Sequence, residues 1–323
     1  MADFLLLEQI YKMIRDIPKP RVIFRKGIVA RGFFRPYMSF SDYTKAQLFD
    51  SPDRITPVTV RFSSMLGDRG TPDTVRNIKG MDAKFHTAHG NYDLMCCSLP
   101  VYFTDSVEKL EAFKAAFSEL NLFDGVNSSA FWRFIVDNPE ALNCGLRFFS
   151  CKGLSYSYIY INMFSVNTSI WENEKGEKRY VRYRWRPVSE NGSKFNADRK
   201  FTDCNTAEFL AGFDPDRGIR EIYGNLIEGR FLHFELQVQM MEDNSIFLNT
   251  CSRHTLCWNE KLFPPTAVGK MRLETLEENC RESDLVSFAP GRTVEGIELC
   301  RNGISDLMDL FYRLESVERG ASV

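Results

Sequence analysis

The chain has 323 residues, with 41 basic and 43 acidic side chains, nine cysteines and four histidines. Its 44% apolar and 26% charged composition is that of a globular protein, and a net charge of −2 argues against a broadly basic nucleic-acid-binding surface. The sequence contains no run of about 18 apolar residues, so no membrane span is predicted. The odd cysteine count, without any C-x-x-C, argues against a secreted disulfide framework, so a cytoplasmic location is expected.

The N-terminal residues predict an arm helix. Apolar side chains recur at helical spacing from Leu6 to Ile17, and Pro18 ends the pattern. The charged residues within this stretch are not typical of a signal peptide. We predict an N-terminal arm helix over residues 1–18 and a single domain over residues 19–323.

Extended structure dominates the region after the arm. Strands are predicted over about 21–34, 59–64, 81–86, 92–96, 156–166, 168–172, 179–188 and 233–241. In the stretch 179–188, basic and apolar residues alternate, which indicates a strand with one buried and one wet face. The turn Glu174-Lys175-Gly176 predicts a hairpin with the preceding strand. This order favours an α+β domain with a mostly antiparallel sheet, plausibly a barrel.

Helical periodicity interrupts the strands in four places. The predicted helices cover about 41–48, 106–120, 129–136 and 303–318. Ser41 and Ser106 are the predicted caps of the first two helices. The stretch 251–293 has little periodicity and is predicted to wrap the surface.

Short blocks of sequence carry a resemblance to a known superfamily. They are Thr59-Val60-Arg61-Phe62-Ser63 (family V-R-F-S-T), Asp73-Thr74-Val75-Arg76 with Gly80 and Lys84-Phe85 (D-T-V-R-D-x-R-G-F-A-x-K-F), Gly90-Asn91-Tyr92-Asp93-Leu94 (G-N-W-D-L), Pro100 with Tyr102-Phe103 (T-P-I-F-F), and Pro265 with Val268-Gly269-Lys270-Met271 (P-V-G-K-L). The blocks keep family order from about residue 20 to 320, so the chain resembles the catalase superfamily.

The similarity is to the short members of that superfamily, the mini-catalases, catalase-related peroxidases and allene oxide synthases, which lack a flavodoxin-like C-terminal domain. It implies a catalase-like eight-stranded antiparallel β-barrel with inserted and C-terminal helices around a buried heme b. It also implies a homodimer or homotetramer.

The resemblance assigns the heme iron ligand to Tyr312. Aligned without a gap from Gly296-Ile297, the family motif R-x-F-x-Y-x-D-x-x-x-x-R places its tyrosine on Tyr312 and its last arginine on Arg319. The first arginine of the motif, which supports the tyrosinate charge, falls on Met308. Its loss should weaken ionisation of the phenol, whose ordinary pKa is about 10.

Three arginines match the family residues that hold the heme propionates. They are Arg21, Arg61 and Arg319. Carboxylates in a mostly apolar cavity need guanidinium partners, which bind them through two parallel hydrogen bonds. The presence of all three implies that heme binding is retained.

The catalytic side of the family site is altered. The family motif R-V-V-H-A-K-G places Phe24 at the catalytic histidine, and V-G-N-N-T-P places Cys97 at the catalytic asparagine. Ser63, whose counterpart hydrogen-bonds that histidine, is kept. A positioned general acid–base contributes about 10²–10⁴-fold to rate. Catalase activity is therefore predicted to be very low.

An apolar pocket would replace the lost groups. Phe24, Cys97 and Leu110, which stands at a family phenylalanine position, would line it, and Ile23 is placed with the residues that contact the cofactor. Such a pocket favours a small apolar organic substrate that brings its own reactive group: a hydroperoxide, an oxime or an N-hydroxy compound. Cys97 would be either a polarisable neighbour of that substrate or a small thiol that fills a gap.

Two alternatives remain open at the level of sequence. Loss of the catalytic residues also fits a non-catalytic heme-binding protein or a degenerate catalase-like protein. A non-heme metal site would need His86 and His89, or His233 and His254, to converge with carboxylates.

Overall fold

A closed ring of eight antiparallel strands organises the chain in a computed structural model. The structure describes residues 21–118, 128–191, 201–243, 246–277 and 280–321. The predicted arm helix over residues 1–18 lies outside these ranges.

The strands follow one another around the ring in the order β7-β5-β4-β3-β2-β1-β9-β8, and pairing of β8 with β7 closes it. Two short strands, β6 and β10, extend outward from β7. The strand bounds are β1 (Lys26–Pro36), β2 (Thr56–Ser64), β3 (Lys79–Thr87), β4 (Gly90–Cys97), β5 (Met163–Phe164), β6 (Ser169–Glu172), β7 (Lys178–Val188), β8 (Leu232–Glu242), β9 (Thr266–Leu276) and β10 (Ile297–Leu299). The predicted eight-stranded barrel is confirmed.

Helices lie between and after the strands. Their bounds are α1 (Leu110–Ser118), α2 (Ser129–Asp137), α3 (Leu142–Phe149), α4 (Cys204–Phe213), α5 (Arg217–Ile227), α6 (Leu248–Cys251), α7 (Cys280–Leu285) and α8 (Gly303–Glu318). Short 3₁₀ turns cover Gln47–Phe49, Pro139–Ala141 and Cys151–Gly153. The predicted helix over 303–318 is confirmed, and a capping box between Asn302 and Ser305 begins it.

Two apolar cores follow from the alternation of side chains along the strands. The barrel interior is filled from the inward positions, among them Phe62, Met81 and Trp185. A second, aromatic core lies among α1, α2, α3 and the segment after β4, where Phe103 and Phe131 are fully buried. Each buried phenylalanine of this kind contributes about 1.5–3 kcal/mol of transfer free energy.

The first strand begins later than its sequence pattern suggested. β1 starts at Lys26, because Phe24 has φ +54° and takes the preceding residues out of the extended conformation. The pairing of β1 with β9 contains a register shift between Arg31 and Gly32. A side chain at Gly32 would collide with the Arg272 carbonyl oxygen, so glycine is required there.

The predicted helix over 41–48 is wrong. The hydroxyl of Thr44 donates to the Gly296 carbonyl at 2.7 Å, and the Lys45 amide donates to the Glu172 carbonyl at 2.8 Å. The Lys45 amide is a group that a helix would have paired locally, and both bonds tie the segment to distant parts of the chain. Only the 3₁₀ turn Gln47–Phe49 remains, and Ser41 caps no helix.

The predicted cap of the next helix is also wrong. α1 begins at Leu110, four residues after Ser106. The amide of Ser106 donates to the Thr104 hydroxyl at 3.0 Å, and its own hydroxyl donates to Glu108.

The expectation of a wrapping segment over 251–293 is wrong in part, because β9 lies within it and pairs with both β1 and β8. β9 was not predicted because Gly269 interrupts the alternation of apolar residues along the strand. The strand predicted over 156–166 shrinks to the two residues of β5. Helices α3, α4 and α5 had not been predicted.

Candidate functional site

The outer face of β1 to β4 carries three of the predicted site residues, Arg61, Ser63 and Cys97. Strand pairing places them in two neighbouring rows across the four strands. The first row, here called the serine row, is Gly27, Ser63, Gly80 and Cys97; the second, the arginine row, is Val29, Arg61, Asp82 and Met95. Their chain neighbours point into the barrel, because successive side chains alternate between the two faces of a strand.

Arg61 is held beneath the surface of this face. It is 1% exposed, and Gly27 makes room for it, since a Cβ at Gly27 would lie 2.7 Å from the guanidinium carbon. Nη2 donates to the Arg25 carbonyl at 3.4 Å, whereas Nε and Nη1 find no hydrogen-bond partner among the described residues. Burial and the nearby positive charge of Arg21 lower the pKa of Arg61 to about 9.

Arg21 and Arg319 complete what we call the arginine cluster with Arg61. Arg21 donates to the Val286 carbonyl and Arg319 to the Asp284 carbonyl. Among the described residues neither Nε has a hydrogen-bond partner, although the Arg319 Nε lies 3.6 Å from the Glu315 carboxylate. Burial and Arg21 lower the pKa of Arg319 to about 10. The structure therefore brings the three predicted arginines together, with several N–H groups unused.

A buried carboxylate lies inside this cluster that sequence reasoning missed. Glu315, on α8, is 3.9 Å from Arg21 and 3.6 Å from Arg319, and it accepts the Val22 amide at 2.8 Å. The sequence spacing could have identified Glu315, because Glu315 and Arg319 are one helical turn apart and therefore share a face of the helix.

Asp82 is a second missed carboxylate. It is 8% exposed and lies directly across the strand pair from Arg61. Burial raises its pKa to about 7, against the opposing effects of Arg61 and Arg21. The signal was available in the family pattern D-T-V-R-D-x-R-G-F-A-x-K-F, in which alanine occupies this position.

Tyr312 lies on α8, half-buried, with its ring packed edge-on against Phe311 at 5.4 Å. Its pKa is raised well above the ordinary value, first by burial and then by the charges of Asp82 and Glu315, while Arg21 acts in the opposite direction. Met308 precedes it by one turn and is half-buried. Tyrosinate formation is thus opposed by two carboxylates as well as by the missing arginine.

Phe24 stands against the serine row. A Cβ at Gly80 would lie 2.9 Å from its ring and 2.8 Å from the Ser63 hydroxyl, so Gly80 provides the space for both. The Ser63 hydroxyl is buried, and no residue in the described part of the chain is hydrogen-bonded to it. Ile23 is half-buried beside Phe24.

Cys97 and Leu110 each pack against the aromatic core. The Cys97 thiol donates to the Leu99 carbonyl at 3.2 Å, and burial raises its pKa to about 12. Tyr102 packs against the same core, and its charge would act on Tyr312. This phenol was also missed, although it replaces a phenylalanine of the family pattern T-P-I-F-F.

Two of the four histidines are hydrogen-bonded to residues that are not among the predicted site residues. His86 is hydrogen-bonded to Thr59 at 2.9 Å and His254 to Asn167 at 3.0 Å. Across the described ranges, no three His, Cys, Asp or Glu side chains converge on a metal position, so the non-heme metal hypothesis finds no ligand set there. The helices of the same ranges include none with the length and apolarity to cross a membrane.

Comparison with known proteins agrees with the fold and the motifs. The family model for catalase matches residues 1–312. Catalase-2 of Bacillus subtilis (strain 168) is 33% identical over 305 residues, covering 92% of this chain and 43% of that protein. The catalase of the Onchocerca volvulus endobacterium is 31% identical over 303 residues, covering 93% of this chain and 61% of that protein. This chain thus spans less than two thirds of the length of either relative.

Solved structures show the same architecture. A fungal catalase crystal structure superposes with a TM-score of 0.83 at 27% identity, covering 99% of this chain and 63% of that one. A bacterial catalase structure superposes with a TM-score of 0.84 at 24% identity, covering 99% and 61%, and at that identity it supports the fold alone.

Proposed function

Because this chain belongs to the catalase family, we propose that it is a heme-dependent enzyme with little activity toward hydrogen peroxide. The proposed cofactor is heme b. The proposed substrate is a small apolar molecule that carries its own reactive oxygen or nitrogen, namely an organic hydroperoxide, an oxime or an N-hydroxy compound. The reaction class is an oxidation or a lyase-type dehydration.

The observation that supports heme binding is the arginine cluster. Arg21, Arg61 and Arg319 are all under 10% exposed, and each has buried N–H groups without a hydrogen-bond partner. Leaving such donors unpaired costs about 1–3 kcal/mol each, more for charged groups. A ligand with two carboxylates removes that cost, so these residues fit the propionate edge of a heme.

Tyr312 is the residue that would hold the iron. Bound heme iron would supply a Lewis acid and one-electron partner for a substrate oxygen or nitrogen. Since Asp82 and Glu315 oppose ionisation of the phenol, the fit is better at the propionate edge than at the iron.

The residues facing the substrate explain why hydrogen peroxide is a poor substrate. Phe24 has no proton to exchange, and the Cys97 thiol is committed to the Leu99 carbonyl with its pKa raised to about 12. No general base therefore stands at either altered position at neutral pH. Phe24 and Leu110 can instead pack against an apolar substrate, and the Ser63 hydroxyl offers one free hydrogen bond for orienting it.

A second candidate function is a non-catalytic heme-binding or degenerate member of the family. The observation that favours it is Asp82, a buried carboxylate among the residues that would receive heme. A protein that no longer catalyses a reaction is under no selection against a negative charge in its heme site, so the presence of Asp82 favours this candidate.

The test is the absorption spectrum of the purified chain after expression with added heme. We expect a tyrosinate-ligated ferric spectrum that is lost in Tyr312→Phe. The matched control is Tyr223→Phe, at a tyrosine of α5 that is 50% exposed. Absence of a Soret band from the protein purified after expression with added heme would contradict both heme proposals.

Ligand screening separates the two candidates. Spectral shifts on adding organic hydroperoxides or oximes, followed by turnover, support the enzyme. A stable heme spectrum that none of these compounds changes supports the non-catalytic protein. A homodimer or homotetramer and a cytoplasmic location are further proposals, which size-exclusion chromatography with light scattering and cell fractionation would test.

A further inference from the structure

Asp82 is the residue of the outer face whose chemistry the proposed function leaves unused. It occupies the centre of the arginine row, opposite Arg61 on β2 and Met95 on β4. Side chains directly opposite one another on antiparallel strands have Cβ atoms about 4.5–5.5 Å apart. The Asp82 carboxylate is therefore built into the edge of the arginine cluster by strand register alone.

Asp82 does not complete the hydrogen bonding of the cluster. Arg61 keeps Nε and Nη1 without partners although Asp82 is its cross-strand neighbour. The carboxylate thus contributes a negative charge to the cluster while the donors stay available to a ligand.

The charge balance shows what this negative charge does. At pH 8, above the pKa of about 7 that burial gives Asp82, three guanidinium groups face two buried carboxylates, Asp82 and Glu315, which leaves one positive charge. Asp284 also lies near, but it is paired with Arg69. A ligand with two carboxylates would turn that single positive charge into a negative one. Without Asp82 the same ligand would leave the cluster neutral.

We propose that Asp82 is an affinity-determining residue that competes with the carboxylates of the incoming heme for the arginine cluster, so that this chain binds heme weakly and exchanges it readily. This inference rests on the proposed heme function. It assigns to Asp82 a negative effect on binding, in contrast to the alanine of the family pattern. Bringing like charges together in a site of low polarity costs several kcal/mol, enough to change affinity by more than tenfold.

The test compares hemin binding to the full-length wild-type chain, Asp82→Ala and Asp82→Asn at pH 8. We expect both variants to bind hemin about tenfold more tightly or better, with slower transfer of heme to a scavenger protein. Asp82→Asn keeps the size of the side chain, so it guards against an effect of volume. The matched control is Glu298→Gln, which removes the same charge from a side chain that is 59% exposed.

A second probe isolates the carboxylates. Hemin dimethyl ester has the same ring and iron but no propionate charge, so the gain should disappear with it. The inference is overturned if the variants gain as much affinity for the ester as for hemin. It is also overturned if neither variant gains affinity for hemin. Thermal unfolding of each variant checks that it is folded.

The outcomes for the two proposals are distinct. If the wild type binds hemin and neither variant binds it more tightly, the heme function stands and the role of Asp82 is overturned. If the variants bind hemin and the wild type fails to bind it, the role of Asp82 is supported and the heme function of this chain is overturned. If none of the three proteins binds hemin, both are overturned.

Discussion

Phe24 combines a backbone conformation that is unusual for its side chain with the position that the resemblance assigns to the catalytic histidine. Its φ of +54° lies in the left-handed region, which a non-glycine residue enters at a cost of about 1–2 kcal/mol. Histidine is enriched in this region relative to most residues. The backbone at this position therefore suits the histidine of the family motif better than the phenylalanine present.

Restoring the family residues should recover peroxide chemistry. In the heme-loaded protein, we expect Phe24→His combined with Cys97→Asn to raise hydrogen peroxide decomposition by about 10²-fold, because a positioned acid–base and a polarising amide are both returned. Oxygen release measures the effect. The matched control is Phe24→Leu with Cys97→Asn, which lacks the acid–base and should show no comparable rise. Intact heme binding without any gain would place the catalytic histidine elsewhere.

At the scale of elements, one buried carboxylate joins β1 to the helical layer. Asp73 has a fully buried side chain 3.3 Å from Lys26 of β1, and it accepts hydrogen bonds from the Tyr158 hydroxyl at 3.1 Å and from the Ile219 amide of α5 at 3.0 Å. The amide belongs to the first turn of α5, where a negative charge is stabilised by the helix dipole.

Removal of this carboxylate should loosen α5. Asp73→Ala leaves Lys26 buried and partly unpaired, so we expect unfolding free energy to fall by about 3–5 kcal/mol. Asp216→Ala removes the other partner of the same lysine, at 2.6 Å, but that side chain is 61% exposed and its loss should cost under about 1 kcal/mol. Urea denaturation compares the two, and equal losses would contradict the assignment.

The elements also show where sequence reasoning works. α8 was predicted in full, and β2, β3 and β4 were predicted short by up to three residues at an end, because their apolar residues repeat at plain helix or strand spacing. β9 was missed since Gly269 breaks its alternation, and its neighbours in the ring, β1 and β8, are distant in sequence. The helix expected from Ser41 failed because Thr44 bonds to Gly296, a partner that no local pattern reveals.

Whole-molecule stability should depend on a buried neutral histidine. His254 is 2% exposed; its carbonyl accepts the Tyr102 amide at 2.8 Å, and its ring is hydrogen-bonded to Asn167. Burial, with Arg182 nearby, lowers its pKa from 6.5 to about 4. Since the folded pKa lies below the unfolded one, its contribution to stability is complete above pH 6.5 and is lost as pH falls toward 4.

We expect the unfolded state to gain on the order of 2–3 kcal/mol from protonation of His254 over this pH window. Chemical denaturation at pH 7 and pH 4.5 measures the loss. His254→Gln should flatten the pH dependence even if it lowers stability at pH 7. His89→Gln, at an exposed histidine, should leave the slope as in the wild type. An unchanged slope in His254→Gln would assign the acid sensitivity to other groups.

The candidate site was predictable to the extent that strand register follows from pattern. Arg61, Ser63 and Cys97 share one face of the barrel because each lies two residues from another outward position. The electrostatics were not predictable in the same way. Asp82 and Glu315 act on Tyr312 through space, and their effect depends on burial that a sequence does not display.

Successive side chains of β2, β3 and β4 alternate between the outer face and the barrel interior, and this affects how such a chain can diversify. Ser63, Gly80 and Cys97 face outward, while their immediate neighbours Phe62, Met81 and Cys96 fill the interior. A mutagenesis library confined to the outward codons would vary the chemistry and leave the packing layer unaltered. Evolutionary drift has the same freedom, so one scaffold can pass between reactions by changing every second residue of four strands.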